Sequence, residues 1–235
     1  MSILRKREPF AARKVPPLAH GQRLKQPEFH RRYEAHPDEV KFELIRGVVH
    51  MASPARWPHG TYDLMLGTVL GIYASATPGV EGGQNASTIL SEESEPQPDL
   101  ALRLLPQWGG QSRLNARHYV EGAPEWLAEI AYSSRDIDLG DKRIDYEQAG
   151  VIEYLVLCVE ECEVHWFHFP SGRLIKSNRH GIARSRVFPG LWIDVPALLA
   201  RNSARLIEVV QQGVASPEHA RFVKRLEAAR RKQVP

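Results

Sequence analysis

The stretch Val151–Val159 is almost continuously apolar, and it constrains the fold more than any other part of the sequence. A strand with apolar residues on both faces is stable where other layers of the protein cover both faces. The strand-like runs Asp99–Leu104 and Glu125–Ala131 precede it, a helical pattern follows them, and a further strand, Val164–Phe169, comes after it. This order predicts an α/β fold, α+β-like, in which helices flank one mixed β-sheet.

Shorter signals divide the rest of the chain. Arg46-Gly47 lies between two apolar tetrapeptides and indicates a β-hairpin. The remaining predictions are helices over Pro27–Ala35, Thr61–Ala74, Val195–Ala200 and Ser216–Lys232, a turn at Gly79–Gly83, a strand at Ala86–Leu90, an acidic loop with a mobile tip at Ser91–Gln97 and a short strand or turn at Phe188–Asp194.

The size and composition favour one large domain. A chain of 235 residues, 43% of them hydrophobic, can bury a substantial core. Cys158 and Cys162 are too few for a disulfide framework or a four-ligand zinc site, which indicates a reducing compartment. No segment approaches the roughly 18–20 apolar residues of a membrane span, and the start lacks the apolar region of a signal peptide. We therefore expect a cytoplasmic protein with no membrane partner.

Charge is distributed unevenly, although the formal net charge is only +3. Residues 1–32 contain nine Lys or Arg and two acidic residues, and residues 221–235 contain six and one. The remainder therefore carries a net charge of −9. Basic ends around an acidic body can hold a polyanion that the body itself would repel. The alternative is that the basic ends are merely solvated and disordered.

Two carboxylates occupy positions in predicted apolar strands, where burial of a charged group is unfavourable. Asp99 follows Pro98 at the head of one predicted strand, and Glu129 lies inside another. An unpaired buried carboxylate costs several kcal/mol or shifts its pKa until it is neutral. A divalent cation would compensate both carboxylates at once, and Mg²⁺ prefers one or two carboxylates together with water and phosphate oxygens. The pair therefore points toward phosphate chemistry.

Several short motifs follow one another between Pro27 and Leu199. They are Phe42-Glu43-Leu44-Ile45-Arg46-Gly47, Ser53-Pro54, Pro98-Asp99-Leu100, Glu129-Ile130, Arg135-Asp136-Ile137-Asp138 with Lys142 and Tyr146, and Ala149-Gly150-Val151-Ile152-Glu153-Tyr154. In this order they resemble the Uma-type putative restriction endonuclease family, which belongs to the PD-(D/E)xK nuclease superfamily. The resemblance is specific because many motifs recur in one order, whereas none of them alone would mean anything.

The resemblance implies a restriction-endonuclease-like core and a site for phosphodiester hydrolysis. Asp99 and Glu129 would bind Mg²⁺, or Mn²⁺ in its place, and the metal would activate a water for in-line attack. The superfamily places a lysine two residues after the glutamate, where this chain has Ala131. Lys142, thirteen residues after Glu129, matches the lysine that this family carries on the next helix. Glu43 matches the family's early glutamate, which would hold metal-bound water.

The expected organisation has three parts. The resemblance implies a restriction-endonuclease-like domain at residues 25–200, whereas composition and charge predict a flexible basic arm at residues 1–24 and a basic helical extension at residues 201–235. The partner would be DNA, which is indicated by the resemblance alone. Nucleases that cut both strands often act as homodimers, and the candidate contacts are the Val164–Phe169 edge and the terminal helix.

Each candidate residue also has a simpler interpretation. Asp99 can be a turn residue at the end of a strand, Glu129 can pair with Arg103 or Arg135, and Lys142 can be a solvated helix lysine. Glu43 can serve a lysine or a backbone amide, His59 can contact phosphate or lie on the surface, and Tyr146 can be a packing residue. The alternative function is a catalytically inactive nuclease-fold module that binds nucleic acid or regulates.

Overall fold

The computed structural model describes residues 15–36 and 40–233. Within them the helices are α1 (Gln26–Tyr33), α2 (Trp57–Ala76), α3 (Arg135–Leu139), α4 (Asp141–Ala149), α5 (Val195–Leu199), α6 (Ser203–Val214) and α7 (Pro217–Gln233). The strands are β1 (Phe42–Ile45), β2 (Val48–Met51), β3 (Val80–Gln84), β4 (Thr88–Ile89), β5 (Leu100–Leu104), β6 (Arg113–Leu114), β7 (Val120–Glu121), β8 (Trp126–Ala131), β9 (Glu153–Cys158), β10 (Glu163–His168), β11 (Arg173–Leu174), β12 (Ile182–Arg184) and β13 (Trp192–Asp194). No helix in these two ranges combines the length and apolar character that a membrane crossing requires.

A six-stranded mixed sheet forms the centre of the molecule, in the order β11-β10-β9-β8-β5-β3. Strands β8 and β9 are parallel, and the other neighbours are antiparallel. Parallel neighbours need a crossover connection, and α3 and α4 provide it between β8 and β9. The mixed sheet with flanking helices confirms the predicted fold class.

Both faces of the two central strands are covered, as the apolar run predicted. Every residue of β8 and β9 is buried. Side chains alternate between the faces, so Ala128 and Ile130 pack in the main core with α2, α6 and α7. Leu127 and Ala131 point to the other face, where they pack in a second cluster with Tyr146 of α4. The site described below lies on this second face.

The predicted hairpin is present as β1 and β2. Arg46 and Gly47 join the strands with φ angles of 51° and 76°, the left-handed conformations that a two-residue hairpin turn requires. Residues 15–24, which fall within the predicted flexible arm, instead pack along β2. Leu18 is buried against the hairpin, and Leu24 N–H donates to the Gly47 carbonyl. Residues 1–14 of that arm lie outside the described residues.

Several predicted elements differ from the observed ones. Helix α2 begins four residues before the predicted start, at Trp57, because Pro58 suits the first turn of a helix. The predicted turn at Gly79–Gly83 is mostly strand β3, because backbone pairing with β5 outweighs its poor strand composition. The predicted strand at Ala86–Leu90 shortens to β4. Within the acidic loop, Glu95 is 1% exposed and accepts a hydrogen bond from Gln26, so this part of the loop packs against the body of the protein.

The described part of the segment 201–235 consists of α6 and α7, which a short turn joins. Helix α6 was not predicted as a separate element. Leu206 and Val210 of α6 and Phe222 of α7 are buried in the main core, so this segment is packed onto the body of the protein. The Val164–Phe169 stretch, a candidate dimer edge, is covered by β11 at Phe167 and His168.

Glu153 at the start of β9 is completely buried, and its carboxylate accepts hydrogen bonds from four donors. Oε1 accepts from the backbone N–H groups of Arg186 at 2.6 Å and Val187 at 3.0 Å. Oε2 accepts from the Ser185 hydroxyl at 2.8 Å and from Trp166 Nε1 at 3.1 Å. Burial raises the pKa of Glu153. The carboxylate therefore ties β9 and β10 to the loop before β13.

We expect Glu153→Gln to lower the free energy of unfolding by about 2–4 kcal/mol. A glutamine amide presents an N–H₂ group to two of the four donors, which leaves buried donors unpaired. Chemical denaturation measures the change, with Glu163→Gln on the exposed part of the same sheet as the control. A loss no greater than that of the control would contradict the structural role of Glu153.

Candidate active site

Sheet register brings the two predicted metal carboxylates together. Leu100 of β5 pairs with Ala128 of β8 in antiparallel register. One step outward along both strands, Asp99 lies opposite Glu129, so their side chains share a face. Oδ2 of Asp99 accepts a hydrogen bond from Ile130 N–H at 2.7 Å. The Asp99 side chain is 14% exposed and that of Glu129 is 5% exposed, so only the outer part of the site reaches solvent.

Helix α4 carries Lys142 and Tyr146 across the same face, one turn apart. Lys142 Nζ lies 3.1 Å from Oε1 of Glu129, and the Tyr146 hydroxyl donates to the same oxygen at 2.7 Å. Gly140 interrupts the helix between α3 and α4, and a Cβ at this residue would collide with the Asp136 carbonyl oxygen. The change of direction at Gly140 sets the orientation of α4. Lys142 is 6% exposed, which excludes the interpretation of a solvated helix lysine.

Two further carboxylates complete the surroundings of Lys142. Oε1 of Glu43, on the hairpin, lies 3.0 Å from Lys142 Nζ and also accepts a hydrogen bond from Gln97 N–H at 2.7 Å. Both alternatives considered for Glu43, a lysine and a backbone amide, are therefore present. Asp138, which the sequence did not single out for this role, lies 3.6 Å from Nζ. Its i, i+4 spacing to Lys142 was the available signal.

The alternative partners predicted for Glu129 are engaged elsewhere. Arg103 pairs with Glu81, and Arg135 pairs with Glu161 at 3.3 Å. Glu129 therefore has Lys142 and Tyr146 as its hydrogen-bond donors rather than an arginine.

The electrostatics of the cluster follow from burial and from an excess of carboxylates. Burial raises the pKa of Glu129 well above its usual value; neighbouring Asp99 and Asp138 add to the effect, and Lys142 opposes it. Burial also raises the pKa of Asp138 to about 6. Burial alone would lower the pKa of Lys142, but the carboxylates around it raise that pKa well above its ordinary value. Lys142 is therefore the buried cation of the site.

His59 stands at the open side of the site. Its Nε2 lies 3.2 Å from Oδ2 of Asp99, and this hydrogen bond raises the pKa of His59. Near it on α2, the buried Oδ1 of Asp63 has no hydrogen-bond partner, and burial raises the pKa of Asp63. His59 is thus neither a free surface residue nor a core residue, because it contacts a proposed metal ligand.

The donor chemistry of Asp99 and Glu129 fits a magnesium ion. Oδ1 of Asp99 and Oε2 of Glu129 accept no hydrogen bond from the described residues, so each side chain retains an oxygen for a cation. Glu129, Glu43 and Asp138 surround Lys142, and Asp99 lies beside Glu129, so the site has four carboxylates and one lysine. A divalent cation would reduce this excess of negative charge. No group of three or more His, Cys, Asp or Glu side chains within residues 15–36 and 40–233 is arranged to hold a metal ion. The fit to magnesium therefore rests on two carboxylates, Asp99 and Glu129, with water and phosphate oxygens as the other ligands.

Comparisons with known proteins agree with this architecture. The model of the Uma2 family, described as "Putative restriction endonuclease", matches residues 26–196. Among solved structures, the chain is similar to a protein from Anabaena variabilis ATCC 29413 described as a putative nuclease belonging to DUF820, with a TM-score of 0.59 and 13% sequence identity. The similarity covers 73% of this chain and 97% of the other, and at this identity it shows a shared fold. No curated protein matches the chain.

Proposed function

The chain belongs to the Uma2 family of putative restriction endonucleases, and on that premise we propose that it is a Mg²⁺-dependent endonuclease that hydrolyses phosphodiester bonds in DNA. The observation that supports this most is the convergence of Asp99, Glu129 and Lys142. Asp99 directly precedes β5, Glu129 lies in β8 and Lys142 lies on the crossover helix α4, and they meet on one partly open face of the sheet. A purely structural ion pair would not need a second carboxylate at the solvent-facing side of the cluster.

In this proposal Asp99 and Glu129 hold Mg²⁺, with Mn²⁺ as a substitute. When bound there, the metal supplies a water of lowered pKa and stabilises negative charge on the phosphate oxygens. The protein contributes the orientation of its ligands. Ile130 N–H and His59 fix Asp99, and Tyr146 and Lys142 fix Glu129.

Lys142 supplies a fixed positive charge beside the proposed ligands. Its ammonium group is held between Glu129 and Glu43, so it is positioned before substrate arrives. A preorganised cation at this place stabilises the negative charge that develops on a pentavalent phosphate and its attacking oxygen. Glu43 anchors the ammonium group and, through Gln97 N–H, connects the hairpin to the site.

A second candidate is a nuclease-fold module without catalytic activity that binds nucleic acid. The observation in its favour is the closed ion-pair network, because Lys142 already satisfies Glu129 and Glu43 in the structure. A module of this kind would bind DNA equally well with and without divalent metal.

Cleavage of supercoiled plasmid separates the two candidates. We expect nicked and then linear product with Mg²⁺ or Mn²⁺, and no product with EDTA, because the carboxylates alone would repel the phosphate. Binding of Mn²⁺ measured by calorimetry provides a readout that does not depend on turnover. Metal-independent DNA binding without cleavage would favour the inactive module, and absence of both binding and cleavage would leave only the fold.

A further inference from the structure

A basic groove lies away from the carboxylate site, on the other side of the sheet. A cavity of about 610 Å³ lies between α7 and the loop at residues 185–189, and a second of about 320 Å³ lies beside residues 175–184. Arg186 lines both cavities, so they adjoin, and together they are called the basic groove. Its cations, all exposed, are Lys176, Arg184, Arg186, Arg221, Lys224 and Arg225.

These six cations have no carboxylate partner within the part of the chain that the structure describes. The one acidic residue that lines the groove, Glu218, accepts a hydrogen bond from Trp192 Nε1 at 2.6 Å. The guanidinium group of Arg184 stacks on the same indole at 3.8 Å. By contrast, exposed arginines elsewhere, such as Arg31 and Arg113, have glutamate partners. Clustered cations without partners repel one another, so the groove is an electrostatic site for an anion.

The walls of the groove are held in place from inside the protein. Buried Glu153 accepts hydrogen bonds from the backbone of Arg186 and Val187, which fixes one wall. On α7, Phe222 and Leu226 are each 5% exposed and pack in the main core. A helix anchored along one face presents its other positions to solvent, and the exposed Arg221, Lys224 and Arg225 lie there at i, i+3 and i+4. The cations are therefore displayed on rigid supports.

The shape and chemistry of the groove favour the phosphate backbone of a nucleic acid. Several cations along the groove match a ligand with repeated negative charges rather than a single small anion. The aromatic rings beside the groove are covered by arginines, with Arg184 over Trp192 and Arg225 5.4 Å from the centre of the Phe222 ring. Single-strand binding usually depends on free rings that stack on bases. We propose that the basic groove is a second DNA-binding surface, which contacts the phosphates of duplex DNA without reading its sequence.

The location of the groove gives this surface a role separate from cleavage. Phe222 of α7 packs in the main core together with Ile130, whereas Glu129 points to the opposite face of β8. The DNA held in the groove is therefore a different stretch from the one at the carboxylates. The proposal shares its partner with the proposed function but does not require cleavage. A basic surface of this kind raises the local concentration of DNA near an acidic site.

The test is equilibrium binding of the full-length protein to a labelled duplex of about 30 base pairs in EDTA over a range of salt concentrations. The variant Arg221→Gln, Lys224→Gln and Arg225→Gln removes three groove cations. We expect it to weaken binding at least about tenfold and to reduce the slope of log K against log salt by about 3. The control Arg31→Gln, Arg113→Gln and Arg117→Gln removes the same charge from paired cations and should weaken binding less than about twofold.

Equal affinities of the groove variant and the wild type would overturn the proposal, and so would equal weakening by both triple variants. Absence of duplex binding by the wild type, or preference for single-stranded RNA or for phosphatidylserine-containing vesicles, would also overturn it. Plasmid cleavage by the same samples separates this result from the proposed function. If both proteins cleave and the groove variant binds like wild type, the groove proposal is refuted and the nuclease proposal stands. If neither protein cleaves but only the groove variant loses DNA binding, the groove proposal is supported and the nuclease proposal is refuted.

Discussion

Asp99→Asn is expected to lower the rate of metal-dependent plasmid cleavage at least about a thousandfold, equivalent to about 4 kcal/mol of transition-state stabilisation. The substitution keeps the shape of the side chain but removes the charge that would hold the cation, and Glu129→Gln should act in the same way. The measurement is the initial rate of nicking at saturating Mg²⁺, together with the affinity for Mn²⁺ by calorimetry. Both quantities should fall for either substitution.

Glu125→Gln is the matched control for Glu129→Gln. Glu125 directly precedes β8 and is 3% exposed, but it accepts its hydrogen bonds from the backbone N–H groups of Leu104 and Gln111. We expect this variant to lose stability and to keep its cleavage rate when assayed well below its melting temperature. A cleavage rate for Asp99→Asn within about tenfold of wild type would remove Asp99 from the metal site.

Lys142→Met is expected to lower the free energy of unfolding by about 3–5 kcal/mol at neutral pH. Methionine preserves much of the apolar length of the side chain, but Glu129, Glu43 and Asp138 lose the cation that faces them. Denaturant unfolding in metal-free buffer measures the change. Lys224→Met, on the exposed side of α7, is the control and should change stability by less than about 0.5 kcal/mol.

The stability deficit of Lys142→Met should depend on pH with a definite sign. Burial already raises the pKa of Asp138 to about 6 from an ordinary 3.8, and without the lysine this pKa should rise further. A carboxyl with a higher pKa in the folded state binds protons preferentially there, so stability increases as the pH falls. The deficit should be largest near about pH 8 and shrink toward about pH 4. A stability deficit that does not change with pH would indicate lost packing instead. In that case, adding Asp138→Asn to Lys142→Met should not restore the free energy of unfolding.

The sequence identified the buried strands well because their signal is local. A continuous apolar run predicts cover on both faces, and β9 is buried along its entire length. The same reasoning could not distinguish three buried glutamates. Glu125, Glu129 and Glu153 all lie in or beside apolar strands, yet only Glu129 faces a lysine and a tyrosine hydroxyl. The hydrogen-bond donors that surround a carboxylate come from distant parts of the chain, so a strand pattern does not contain them.

The remaining differences also arise from contacts between distant segments. Strand β3 contains Gly82 and Gly83 and reads as a turn, but pairing with β5 makes it an edge strand. Residues 15–24 lack a periodic pattern and are ordered by hydrogen bonds to β2. In the sequence pattern Asp138 is a residue near the start of a helix. In the structure, the crossover places it 3.6 Å from Lys142 Nζ. In each case the partner, rather than the local composition, decides the structure.

Lys142 lies on a helix rather than on a strand, and this changes the sequence spacing by which such a site can be recognised. On a strand, a lysine faces the same side as the glutamate only at every second residue. On α4, by contrast, a lysine at any position of the inner face can point toward the site. Ala131 is 1% exposed and packs in the cluster that includes Tyr146 of α4, so a lysine at that position would displace the core. A search that requires a lysine two residues after the glutamate would miss this chain.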